Sequence, residues 1–133
     1  MVEFAWHLHH DVLVEPLIGT LEERVRYIEA MKPSEEQRLR LRLLKLVKGE
    51  LPSEVVEASI ADVEAWKVFQ RAVEARGVYE SSAVLGSCEE AYQTYCKTIE
   101  AYNDVLAAHR SEVEELHRQE CPNCPWNGKT IFT

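Results

Sequence analysis

No stretch of the sequence approaches the roughly 18 consecutive apolar residues of a membrane span. No basic region followed by an apolar core of signal-peptide length stands at the N-terminus. These absences predict a soluble chain that works in the cytoplasm, away from membranes. Basic side chains are also scarce: 15 Lys and Arg against 23 Asp and Glu leave a net charge of −8. That balance opposes non-specific attraction to phosphate backbones and disfavours nucleic acid as a partner. Cysteines number four, and in a reducing compartment paired cysteines more often bind metal than form a disulfide.

What is present fits one helical domain over residues 1–133, long enough for a hydrophobic core without obligatory staples. It divides into a His-rich N-terminal segment (1–19), helices (20–120) and a Cys-containing tail (121–133). In the first segment Phe4, Trp6 and Leu8 alternate with Ala5, His7 and His9, the period of a short strand with imidazoles on one face; an irregular loop competes with it. Thr20 with Glu23 forms a capping box that opens a helix stopped by Pro33.

In "SEEQRLRLRLLKLVKGELP" the arginines alternate with leucines as in a strand. Its ends read as helical, with Ser34 and Gln37 as a capping box, acids in the first turn and Gly49 as terminator. The expectation is a helix burying Leu39, Leu43, Leu46 and Val47, with Arg38, Arg42, Lys45 and Lys48 on a solvated basic face. A third helix from Ser53 to about Arg76 should bury Val56, Ile60, Val63, Trp66, Phe69 and Val73. After the interruption "GVYESSAVLGS", Ser87 and Glu90 form another capping box. Tyr92, Tyr95, Ile99, Tyr102, Leu106, His109, Val113 and Leu116 follow at alternating steps of three and four. One helix near 50 Å long at about 1.5 Å per residue is expected, antiparallel to the Ser53 helix, with any uncovered end open to self-association as a coiled-coil dimer or to a protein partner. Tyrosines and His109 on that seam read as core, and Cys88 and Cys96 as small buried hydrophobes.

The chemistry lies at the ends. "ECPNCPW" brings two thiolates together in a tight turn, the soft donors that Zn2+ prefers, but one such pair supplies half a tetrahedron. His117 stands four residues before Cys121, and "HLHH" offers His7, His9 and His10. The expected site is a structural zinc held by Cys121, Cys124 and two of these four histidines, tying the chain ends together. Free thiols with surface histidines are the bland alternative, and a thioredoxin-like pair fits poorly because the motif follows a helix.

A catalytic role fits less well. His7, His9 and Asp11 spell part of a metallo-hydrolase signature, yet Val12 replaces the next histidine and the βαβ pattern of such folds is missing. Glu114 and His117 form one Glu-x-x-His, where a di-iron bundle needs two. "NGKT" lacks the glycine spacing of a P-loop. No catalytic residue is assigned. The alternatives kept open are a small metal-dependent hydrolase with Asp11 or Glu15 as base and a zinc-knuckle nucleic-acid binder.

"FAWHLHHDVLVEPL", "LRLRLLK" followed by "GELP", "EAWK" and "ECPNCPWNGKTIF" resemble a prokaryotic or phage-type family with no established activity. That family joins similar ends through tandem heptads of the AYxEAWK type. The resemblance covers the N-terminal half and the last dozen or so residues; "GVYESSAVLGS" departs from it, so helix lengths do not transfer. It implies only that the two ends belong together. The resulting expectation is a mainly α protein, an antiparallel helical bundle with a long hairpin and short β pairing at the joined ends, acting as a zinc-stapled interaction or regulatory protein.

Overall fold

The computed structural model describes residues 2–78 and 82–132, the side chains of 77, 78, 82–85 and 87 excepted. It is mainly helical, with a small antiparallel sheet. The order is β1 (Phe4–Trp6), β2 (Val14–Pro16), α1 (Leu21–Met31), α2 (Ser34–Leu43), β3 (Lys45–Leu46), α3 (Ser53–Val78), α4 (Ser82–Ala108) and α5 (Arg110–Glu120). Two compact units form: residues 1–51 with 111–133, and residues 52–110. No helix among the described residues is long and apolar enough to cross a membrane.

In the first unit β1 is the central strand, flanked by β2 and β3. Ala5 lies opposite Glu15 on one side and Leu46 on the other. The strand alternation ends at Trp6, because His7 adopts a left-handed backbone (φ 57°) and turns the chain. Hence the histidines do not share a face: His7 is buried, and His9 and His10 are exposed. Ala5, Leu8, Ile28 and Leu44 form the core of this unit, with Leu17, Leu21, Val25, Leu41 and Leu46 packed around it.

Thr20 and Glu23 make the expected capping box, each side chain bonding the other's amide. At α2 the boundary differs from the reading above. Pro33 is the N-cap, Ser34 is already helical, and Gln37 Nε2 instead donates to the carbonyls of Glu29 and Lys32. The helix stops at Leu43, and Lys45 and Leu46 pair with β1, Val47 N–H donating to the Phe4 carbonyl at 2.9 Å. The Arg–Leu alternation itself, residues 38–43, is helical, and the strand follows it at Lys45 and Leu46. A free edge of β1 needed backbone partners, and three residues of extended chain supply them.

The second unit is a helical hairpin. Glu54 faces His109, Asp62 bonds Thr98, Trp66 meets Tyr95 and Phe69 meets Tyr92, so residue numbers rise on α3 as they fall on α4. The buried face of α3 carries Val55, Ser59, Val63 and Ala65, whereas Ile60 and Val73 are exposed. Val63 is buried as expected, and Trp66 and Phe69 pack against α4, but at the start of α3 full burial falls on Val55 and Ser59 instead of Val56 and Ile60. Ser59 is completely buried, its hydroxyl donating to the Val56 carbonyl at 2.7 Å, and a small side chain so satisfied permits close approach.

The interruption expected over 77–87 is helical where it is described: α3 runs on through Gly77 to Val78, and α4 takes in 82–87; residues 79–81 and the Ser87 side chain lie outside the described residues. α4 nonetheless begins at Ser82, so Ser87 stands inside the helix. The long seam is not one helix: a turn at His109 divides α4 from α5. Tyr92 is exposed, Tyr102 buried in the hairpin unit, and Val113 buried in the other unit.

Candidate metal centre

The first unit gathers its chemistry where the N-terminal turn, the end of α5 and the cysteine turn meet. His7 is placed by the left-handed turn that ends β1, its amide donating to the Leu13 carbonyl at 3.1 Å. A non-glycine residue in that region is uncommon and marks a constrained position. His117 sits in the last turn of α5, whose helical bonding continues through Cys121 N–H to the His117 carbonyl at 2.7 Å. Cys124 follows in a turn closed by its own amide on the Cys121 carbonyl at 3.2 Å.

These segments converge on one point. His7 Nε2 lies 3.0 Å from His117 Nε2 and 3.2 Å from Cys124 Sγ. All three donor atoms fall within 4.8 Å of one another, and the group could hold a metal ion. The rings of His7 and His117 meet edge to face at 5.0 Å, with Trp6 against His117 at 5.1 Å and Trp126 against His7 at 5.5 Å. The two indoles cover the imidazoles, whereas Cys124 is only partly buried.

Burial, then the neighbouring His117, lowers the pKa of His7 to about 4, against a small opposing effect of the Val12 backbone. Burial likewise lowers that of His117 and raises both Cys121 and Cys124. Neutral imidazole is the form that ligates. Trp126 Nε1 is sealed without a hydrogen-bond partner, a polar cost carried beside the donors.

The other candidates have separate places. His9 Nδ1 contacts Glu15 Oε1 at 2.6 Å, and both lie outside the donor group. His10 holds the tail: its carbonyl accepts from Ile131 N–H at 2.9 Å, its Nδ1 contacts Thr130 Oγ1 at 3.2 Å, and its ring meets Phe132. Cys121 is buried outside the group of three donors; with Cys124, Arg42 and Lys45 it lines a recess of about 290 Å³. "NGKT" forms a turn in which Asn127 Oδ1 accepts from the amides of Lys129 and Thr130 and Gly128 takes a positive φ of 96°.

One residue was overlooked in the sequence. Glu120, immediately before Cys121, accepts from Trp6 Nε1 at 3.1 Å, Lys48 N–H at 2.9 Å and Gly49 N–H at 2.7 Å. It fastens the end of α5 to β1 and to the turn after β3. Partial burial acts to raise its pKa, but the Lys48 amide, the Trp6 indole and the Gly49 amide together hold it below the usual carboxylate range. The signal was present: a carboxylate at a helix C-terminus opposes the macrodipole, so it needs donors from elsewhere.

Compared with family models, with curated proteins and with solved structures, the chain matches none.

Proposed function

We propose that the protein is a zinc-stapled helical interaction or regulatory protein, whose metal holds the two ends of the chain together and does no catalysis. The single observation that carries the reading is the convergence of His7, His117 and Cys124 from separate segments. Two imidazoles and a thiolate are a borderline-soft set suited to Zn2+ rather than to oxygen-seeking cations. Zn–N near 2.05 Å and Zn–S near 2.3 Å in a tetrahedron place N and N about 3.3 Å apart and N and S about 3.6 Å apart. The observed 3.0 and 3.2 Å need an outward shift of a few tenths of an ångström. Cys121, buried on the same turn as Cys124, is the fourth donor in this reading, reached by movement of its side chain.

A closed tetrahedron with cysteine ligation leaves no position for activating water. The bases that a hydrolase would use are poorly placed to argue otherwise, since Glu15 is bonded to His9 and Asp11 is exposed and outside the donor group. For interaction, the hairpin offers Ile60, Val68, Val73 and Tyr92 as exposed apolar side chains, which supports self-association or a protein partner.

Elemental analysis of the purified protein tests the reading together with thermal melting before and after chelation. One zinc per chain and a melting temperature lowered by chelator are expected; metal-free protein with a chelator-insensitive melt refutes it. An open, water-bearing coordination position in cobalt-substituted protein would favour the hydrolase.

A further inference from the structure

The recess beside the cysteine turn has a volume of about 290 Å³ and lies wholly within the first unit. Of the residues that line it, Leu43 and Cys121 are buried, whereas Arg42, Lys45, Pro122 and Asn123 are exposed, so an apolar and thiol floor lies under a basic rim. No Asp or Glu lines it. Neither Arg42 nor Lys45 is ion-paired with a carboxylate among the described residues. Glu120, next to Cys121 in the chain, is committed to Trp6 Nε1 and to the amides of Lys48 and Gly49. The charge of Lys45 is felt at both thiols and that of Arg42 at Cys124, so both cations stand close to the same turn.

Cations spread over a convex helix face are solvated one by one and need no counter-charge. A concavity lined by one sign of charge over low-dielectric walls is different, because it focuses the field and concentrates a counter-ion inside. In a chain of net charge −8, two basic side chains at one recess with no acid beside them stand out. We propose that this recess binds a small organic dianion, a phosphate monoester or a dicarboxylate, with Arg42 and Lys45 as its charge partners. The Arg42 guanidinium offers a bidentate fork and Lys45 a mobile point charge, two positive charges to match two negative ones. Asn123 supplies a donor and an acceptor for a polar substituent, and Leu43 and Pro122 cover a short carbon skeleton. The volume stands at the small end of ligand pockets. The site borders the metal centre at Cys124 without depending on it: two thiolates cancel the charge of Zn2+, so filling that centre leaves the recess basic.

Titration calorimetry of the full chain tests this with glycerol 3-phosphate, succinate, acetate and glycerol in chloride buffer at matched ionic strength. One dianion per chain should bind saturably, and acetate and glycerol at least ~10-fold more weakly. Binding of glycerol 3-phosphate alone assigns the monoester, and of succinate alone the dicarboxylate. Arg42→Gln and Lys45→Gln should each weaken binding at least ~10-fold, the loss of one charge-assisted contact. Both side chains are exposed, so neither change opens the core. Arg38→Gln, exposed on α2 and outside the recess, should bind as wild type does. Elemental analysis of the same samples separates this site from the metal centre, since metal-free protein that still binds the dianion refutes the staple and leaves the recess standing. Absence of binding by either dianion, binding undiminished in Arg42→Gln and Lys45→Gln, an equal loss in Arg38→Gln, or acetate binding as tight as that of the dianions would overturn the proposal.

Discussion

His7 Nε2 and His117 Nε2 stand 3.0 Å apart although 110 residues separate them in the chain. One ring is delivered by a left-handed turn at the end of a three-residue strand, the other by the last turn of a helix. Cys124 Sγ closes on the same point. Donors gathered in this way cannot be preorganised in the unfolded chain, so free energy of metal binding becomes free energy of folding.

His7→Ala, His117→Ala or Cys124→Ser should therefore empty the site and lower the melting temperature by roughly 5–15 °C, the effect of losing a tightly bound ligand from a domain of this size. His9→Ala and His10→Ala should keep full metal content, because those rings contact Glu15 and Thr130. Elemental analysis across the five variants decides this; loss of metal in His9→Ala would redraw the site.

Glu120→Ala should destabilise by about 1–3 kcal/mol, since it strands donors at Trp6, Lys48 and Gly49 that now share one ionised acceptor. Urea denaturation gives the energy, and Trp6 fluorescence should report a wetter indole. An unchanged midpoint would show that the fastening is dispensable.

Ser59 and Ile60 form a paired test of the α3 register. Ser59→Leu inserts volume at a position with no exposure and should cost about 1–3 kcal/mol. Ile60→Ser changes a side chain that is 45 % exposed and should stay within about 0.5 kcal/mol. The reverse ranking in chemical denaturation would restore the stripe expected from hydropathy.

Sedimentation equilibrium should reveal concentration-dependent association, motivated by the exposed apolar residues of the hairpin. Val68→Glu should weaken it. Monomer throughout the micromolar range would remove self-association and leave a different protein partner as the interaction reading.

The sequence by itself determined that helices dominate, because capping residues and apolar periodicity act within a few turns: Thr20 and Glu23 cap α1, and two helical arms stand over the two long apolar patterns, though not with every boundary or buried face expected. It also marked both chain ends as chemically special. What it could not determine was which histidines meet. "HLHH" offers three imidazoles at nearly equal spacing, and one positive φ at His7 sends that ring inward while leaving His9 and His10 exposed. The end of α2 had the same character: "RLLKLV" satisfies either period, and the unpaired edge of β1 chose the strand. Buried Ser59, the fastening by Glu120 and the burial of Arg40 all depend on elements far away in the chain. Local propensity is worth tenths of a kcal/mol per residue, whereas pairing an exposed backbone edge or closing a core is worth several times more. Where the two disagreed, tertiary structure decided.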